Sequence, residues 1–169
     1  HEKRAEELIS AAIVAGRIYV AGDKLMMKVS SVKDCVERAM SVLVESVYTK
    51  LGYIRKNYDS DADLLQILNG SRQMALAGTE SPNAEASKEL LQYLEIQKER
   101  QLPTSMGDLQ KRYQTIPYGW REIDIAAIVA ELIAAQKLVL KYGGVIISPS
   151  DKKIIDYLRK KTEIDKAII

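Results

Sequence analysis

Two groups of carboxylates are the first candidates for chemistry: Asp59, Asp61 and Asp63 in one polar stretch, and Glu122 with Asp124 at the head of an apolar one. Paired carboxylates can divide acid and base roles, but only where burial or a close like charge drives their pKa values apart. Acids at polar helix starts more simply cap backbone N–H groups and meet the positive end of the helix dipole, and that is the expected role of both groups. The one histidine, His1, and the one cysteine, Cys35, cannot assemble a zinc site or a Cys-His nucleophile by themselves. Cys35 falls on an apolar stripe, where a buried inert thiol is expected. None of the glycines stands in a G-x-x-x-x-G-K-[ST] phosphate loop. No catalytic residue, metal set or cofactor site is therefore expected in this segment, and it is not read as an enzyme.

The remaining chemistry is cationic and aromatic. Lys111, Arg112 and Arg121 flank the turn Tyr118-Gly119-Trp120, and Lys137 and Lys141 follow it. These five are candidates for contact with phosphate backbones; the competing reading is ordinary solubilising charge. The net charge of +2 is too small for a long-range field, so only a local patch could hold nucleic acid. Arg159-Lys160-Lys161 is similarly ambiguous, being diluted by Asp151, Asp156, Glu163 and Asp165. Tyr118 and Trp120 are candidate exposed anchors for a partner, against the alternative that a Trp at the start of an apolar helix packs into the core.

The elements that must position these residues follow from periodicity. Hydrophobic residues at 47% and charged residues at 28% match a folded chain rather than a disordered one. No apolar run approaches the roughly eighteen residues of a membrane span, because Asp124 and Glu131 interrupt the richest stretch. A cytoplasmic protein that does not enter membranes is expected. The absence of methionine before His1 reads as a cut within a longer protein.

Leu8, Ile9, Ala12 and Ile13 mark a first helix ended by Gly16, and Gly22-Asp23 suits the turn of a hairpin formed by residues 17–20 and 25–29. A long amphipathic helix, capped at Ser30 or Ser31, carries its stripe from Val32 through Leu43 and Val47 to Ile54. A shorter helix spans about 62–68, and 70–83, with Gly78, Ser81 and Pro82, reads as a linker. Three further helices are expected: from about Ala84 to Gln101, stopped by Pro103; one capped by Thr104 or Ser105; and a nearly all-apolar one from Trp120 to about Gln136. Gly143-Gly144 then turns a hairpin between residues 138–142 and 145–148.

Helix, helix, helix, hairpin is the order of a winged helix. The predicted fold is therefore mainly α with small β-hairpins, an α+β arrangement of a helical region and a winged-helix-like domain. Its divisions are 1–29, a helix and hairpin that could end a preceding winged-helix unit; 30–82, helical region and linker; 83–149, the winged-helix-like domain; and 150–169, a C-terminal helix and tail. An internal echo supports the first of these, because Glu7-Leu8-Ile9 and Glu131-Leu132-Ile133 each precede a basic residue and a hairpin; the competing reading is that any helix followed by a hairpin looks alike. Base reading by the third helix is not expected. A reading helix offers Arg, Lys, Asn or Gln to base edges, whereas between Ile123 and Ala135 this one carries only Asp124 and Glu131 as polar residues, on one face.

At Leu43-Val44-Glu45-Ser46-Val47-Tyr48-Thr49-Lys50-Leu51-Gly52-Tyr53-Ile54, again at Ile116-Pro117-Tyr118-Gly119-Trp120-Arg121-Glu122-Ile123-Asp124, and at Asn83-Ala84, the chain resembles the C-terminal half of the very large P-loop protein of bacterial BREX phage-defence systems, the BrxC/PglY type. The resemblance spans most of Val32 to Ile147. It implies an AAA+-type ATPase acting in defence against phage DNA, with winged-helix elements outside its nucleotide-binding core, whose motifs have no counterpart here. The expected function is a non-catalytic interaction or scaffolding segment, partnered by other domains of the parent protein or by defence-system subunits. The alternative is a DNA-binding module using phosphate contacts without sequence preference.

Overall fold

A computed structural model describes residues 2–20, 22–26, 30–76 and 81–169, with residues 71–76 described by backbone alone. The chain divides into two compact units, His1–Thr49 and Lys50–Ile169.

The first unit contains α1 (Glu2–Ala15), the antiparallel pair β1 (Tyr19–Val20) and β2 (Asp23–Lys24), and α2 (Val32–Val47). Gly22 takes φ +92° in the tight turn, so β2 begins at Asp23, inside the span expected to be turn. Of the expected second strand, residues 27–29 lie outside the described residues. Ser31 caps α2 by accepting from the Asp34 N–H at 3.1 Å. The apolar stripe of α2 forms as predicted, yet only Cys35 on it is buried, and α1 buries none of its residues.

The expected helix through Ile54 stops at Val47. Residues 51–53 form a 3-10 turn instead. Helical periodicity continues through this stretch, but tertiary hydrogen bonds redirect the chain: the Lys50 N–H donates to Pro117 O, and Trp120 Nε1 donates to Lys50 O at 2.9 Å.

The second unit runs α3 (Asp61–Leu76), α4 (Ala84–Glu99), α5 (Met106–Tyr113), α6 (Glu122–Ala134), β3 (Lys141–Tyr142), β4 (Val145–Ile146), α7 (Ile154–Arg159) and β5 (Ala167–Ile168). Three helices and a two-stranded wing therefore stand where the pattern places them between Ala84 and Ser148. Ile125, Ile128 and Val129 are fully buried and Leu132 nearly so.

The divisions expected at 82/83 and 149/150 do not separate compact units. Leu64 and Leu68 of α3 share one core with α6, and α3 lies along α6. The predicted linker is largely the second half of α3, with residues 77–80 outside the described residues. At its end the buried Asn83 side chain accepts from the Arg55 and Lys56 N–H groups at 2.9 Å each and donates to Lys56 O. The expected tail ends in a two-residue strand, β5: the sheet order is β4-β3-β5, all antiparallel, with Lys141 paired to both Ile146 and Ile168. Ser105 bridges to Ile168, and α5 approaches the tail so closely that a Cβ at Gly107 would collide with Asp165. The long range of these pairings hid them from local patterning.

Candidate functional site

Ser105 starts α5 through a reciprocal capping box, its hydroxyl accepting from the Asp108 N–H at 3.1 Å while Asp108 accepts from the Ser105 N–H at 2.9 Å. This fixes the register that turns Leu109 and Tyr113 inward and leaves Lys111 and Arg112 at the surface. Beyond α5 the chain turns through a cis Ile116-Pro117 bond and Gly119 at φ +64°, a conformation that suits glycine, and reaches Trp120 facing inward.

Trp120 stacks on Tyr113 with centroids 4.7 Å apart and planes 4° from parallel, and Tyr118 meets both rings edge-on. Tyr118 and Trp120 are 4% and 2% exposed, so the expectation of exposed anchors gives way to core packing. Their polar atoms are also satisfied internally, Trp120 Nε1 by Lys50 O and the Tyr118 hydroxyl by Glu89 Oε1 at 2.5 Å. Glu89 pairs with Lys50 at 2.7 Å. Burial opposes charge on Glu89, but the bonds from Lys50 and Tyr118 hold its carboxyl below the ordinary range. Burial, then the bond to Glu89, pushes the Tyr118 hydroxyl up.

The five candidate phosphate contacts meet different fates. Arg121 binds Asp124 through Nε at 2.7 Å and Nη2 at 3.0 Å, donates to Tyr58 O at 2.7 Å and pairs with Asp59 at 3.1 Å. These bonds occupy the guanidinium, and the Asp124 bond above all keeps it protonated. Arg121 is thus a structural clamp. Arg112 lies 4.2 Å over the Tyr93 ring and donates to the Tyr118 hydroxyl at 3.3 Å. Lys111 is exposed and 3.7 Å from Asp165. Lys137 and Lys141 are exposed and form no ion pair among the described residues. The structure does not join the five into one cationic surface of free side chains.

Asp124 and Glu131 of α6 are bonded to partners within the domain. The buried Asp124 accepts from the Tyr58 N–H at 2.9 Å, and Glu131 accepts from the Tyr58 hydroxyl at 2.7 Å and the Ser81 hydroxyl at 2.6 Å. Burial, and then the bond to Glu131, raises the Tyr58 hydroxyl well above its ordinary range. Asp63 accepts from the Asp59 and Ser60 N–H groups, and these bonds hold it below the ordinary carboxylate range, as expected of a cap. Asp61 and Glu122 both pair with Arg159. Among the described residues no group of His, Cys, Asp and Glu is placed to hold a metal ion.

Against this architecture, the family model of the winged helix-turn-helix domain of the BREX ATP-binding protein BrxC matches residues 50–169. The chain belongs to this family. The match begins where the second compact unit begins and includes α3 and the tail strand. No solved structure matches the chain. In this BrxC winged helix-turn-helix domain α4, α5 and α6 are the three helices and β3-β4 the wing, extended by β5. Nine residues of the third helix are buried, and its acidic face is taken by Tyr58 and Ser81. No helix among the described residues is long and apolar enough to cross a membrane.

Sequence reasoning passed over Lys50, Tyr58, Asn83 and Glu89, which hold the domain together. Each reads locally as ordinary surface or loop. Of the four, Lys50 and Asn83 fall within strings quoted for the resemblance, and Tyr58 and Glu89 carried no signal.

Proposed function

We propose that this chain is a non-catalytic interaction and scaffolding segment of a large BREX ATP-binding protein acting in bacterial defence against phage, and that it holds no cofactor of its own. The observation that supports this reading is the occlusion of α6. A base-reading helix must offer donors and acceptors to a groove, but α3 lies against α6, and Asp124 and Glu131 of α6 are bonded to Tyr58 and Ser81. The winged-helix architecture is turned inward, and other domains of the parent protein or other subunits of the system are its partners.

The test is direct binding of the intact chain, by interferometry, to the remainder of the parent protein and to each purified BREX subunit, in parallel with fluorescence anisotropy on unrelated duplexes across a salt series. Saturable binding to a protein component is expected. DNA binding, where seen, should be no tighter than about 10⁻⁴ to 10⁻⁶ M at physiological salt, and indifferent to sequence. Strong preference for one duplex would overturn the proposal. The second reading, phosphate contact without sequence preference, is favoured by the exposed Lys137 and Lys141, which form no ion pair among the described residues. Reversing both to Glu should then abolish the binding seen at low salt.

A further inference from the structure

Beside the aromatic cluster lies a hollow of about 640 Å³ between the C-terminal half of α4, the 102–104 connection, the outer side of α5 and the Ile116-Pro117 turn. Its apolar lining includes Leu102 and Ile116, which are 52% and 63% exposed although large and hydrophobic. Arg112 lines it too, with its guanidinium laid over Tyr93 and hydrogen-bonded to the Tyr118 hydroxyl. These partners are neutral, and no carboxylate lies within ion-pair distance of Arg112 among the described residues. The nearby charges do not supply one. Asp108 is committed to the capping box, and Glu89 is bonded to Lys50 and Tyr118.

We infer that this hollow is a docking site for a segment of polypeptide that presents an Asp or Glu carboxylate to Arg112, flanked by apolar side chains seated on Leu102 and Ile116. The inference rests on the interaction role proposed above and gives its partner a chemistry. Arginine held against an aromatic ring has less conformational freedom left to lose, and its planar fork matches a carboxylate in two hydrogen bonds. Lys111 at the lining already lies 3.7 Å from Asp165, which leaves Arg112 as the lining cation without a carboxylate partner among the described residues, and charge complementarity points to an acid. A nucleic-acid backbone fits less well. It presents a negative charge about every 1.7 Å along the duplex and is met by rows of cations, whereas this lining offers two cations, one carboxylate and exposed aliphatic side chains.

The probe is an array of 15-residue peptides tiled across the parent protein and the other BREX subunits, screened with the intact 169-residue chain, the binders then being titrated in solution. Bound peptides should share an acidic residue between apolar ones, and replacing that acid by its amide should weaken binding about tenfold or more. Arg112→Gln should weaken binding to a similar extent. Because that change also touches Tyr93 and Tyr118, Ile116→Asp serves as a second variant: it should weaken binding without moving the melting temperature, since Ile116 is largely exposed. Binders without an acidic preference, or affinity unchanged by both variants, would overturn the site. If the chain binds whole subunits yet neither variant matters, the hollow is wrong and the interaction role stands; if it binds no protein or peptide at all, both fall. Competition by duplex DNA that is relieved by Arg112→Gln would assign the hollow to nucleic acid instead.

Discussion

The chain builds a helix followed by a tight hairpin twice, and the two copies differ where it matters. The hairpins share one register: Tyr19 pairs with Lys24 as Lys141 pairs with Ile146, and Val20 with Asp23 as Tyr142 with Val145. The next bond matches as well, Leu25 N–H to Ile18 O at 2.9 Å and Ile147 N–H to Leu140 O at 2.8 Å. Both turns contain a glycine at positive φ. The helices before them have opposite environments. α6 is enclosed by α3, α4, α5 and α7, whereas α1 buries nothing, and its Leu8 and Ile9 are exposed although they echo the buried Leu132 and Ile133. Hairpin geometry is thus a local property of turn residues and pairing. Burial of the helix depends on what else the fold brings to it.

The comparison breaks most readily at the echoed leucines. Leu132→Ala should cost about 2–5 kcal/mol, because the truncation opens a cavity in a packed core. Leu8→Ala should change stability by less than about 0.5 kcal/mol. Chemical denaturation read by the single tryptophan, Trp120, which lies in the second unit's core, reports the first; circular dichroism reports the second. Equal losses would mean that α1 is packed as α6 is.

The echoed glutamates give the next effect. Glu131→Ala leaves the Tyr58 and Ser81 hydroxyls without their acceptor in a half-buried site and should cost about 1–3 kcal/mol. Among the described residues Glu7 pairs with the exposed Arg4 alone, so Glu7→Ala should be close to neutral. Denaturation midpoints of the two variants, measured side by side, decide this.

The two helix caps sharpen the comparison at smaller scale. Ser105 and Ser31 each accept from the N–H of an aspartate three residues on, but only Ser105 belongs to a reciprocal box. Ser105→Ala should cost about 1–2 kcal/mol and Ser31→Ala about 0.5–1 kcal/mol. Loss of helical signal against denaturant reads both.

The smallest effect is one of pH. Burial works against the charge of Asp108, yet its bonds from Ser105 hold the carboxyl below the ordinary range. A folded pKa lower than the unfolded one contributes stability that is present above the unfolded carboxylate range and lost as pH falls through the lower folded value. The difference between Ser105→Ala and the parent chain should therefore be steady near neutral pH and shrink below about pH 4. A gap that widens on acidification would contradict the capping-box assignment.

Much of the molecule was legible without the fold. Turn glycines set both hairpins, Ser105 was one of two caps offered for the start of α5, and the apolar run from Ile125 to Ala130 required that α6 be buried. Each of these depends on residues near one another in the chain, where steric preference, capping and periodicity act directly. Tertiary structure decided the rest. It stopped α2 at Val47 by capturing Lys50, turned Tyr118 and Trp120 inward, made Arg121 a clamp on Tyr58 and Asp59, and drew residues 167–168 into the wing sheet. Those outcomes rest on partners tens of residues apart. Local patterning can mark a residue as charged or apolar, but it does not contain the identity of the group across the core that will hold it.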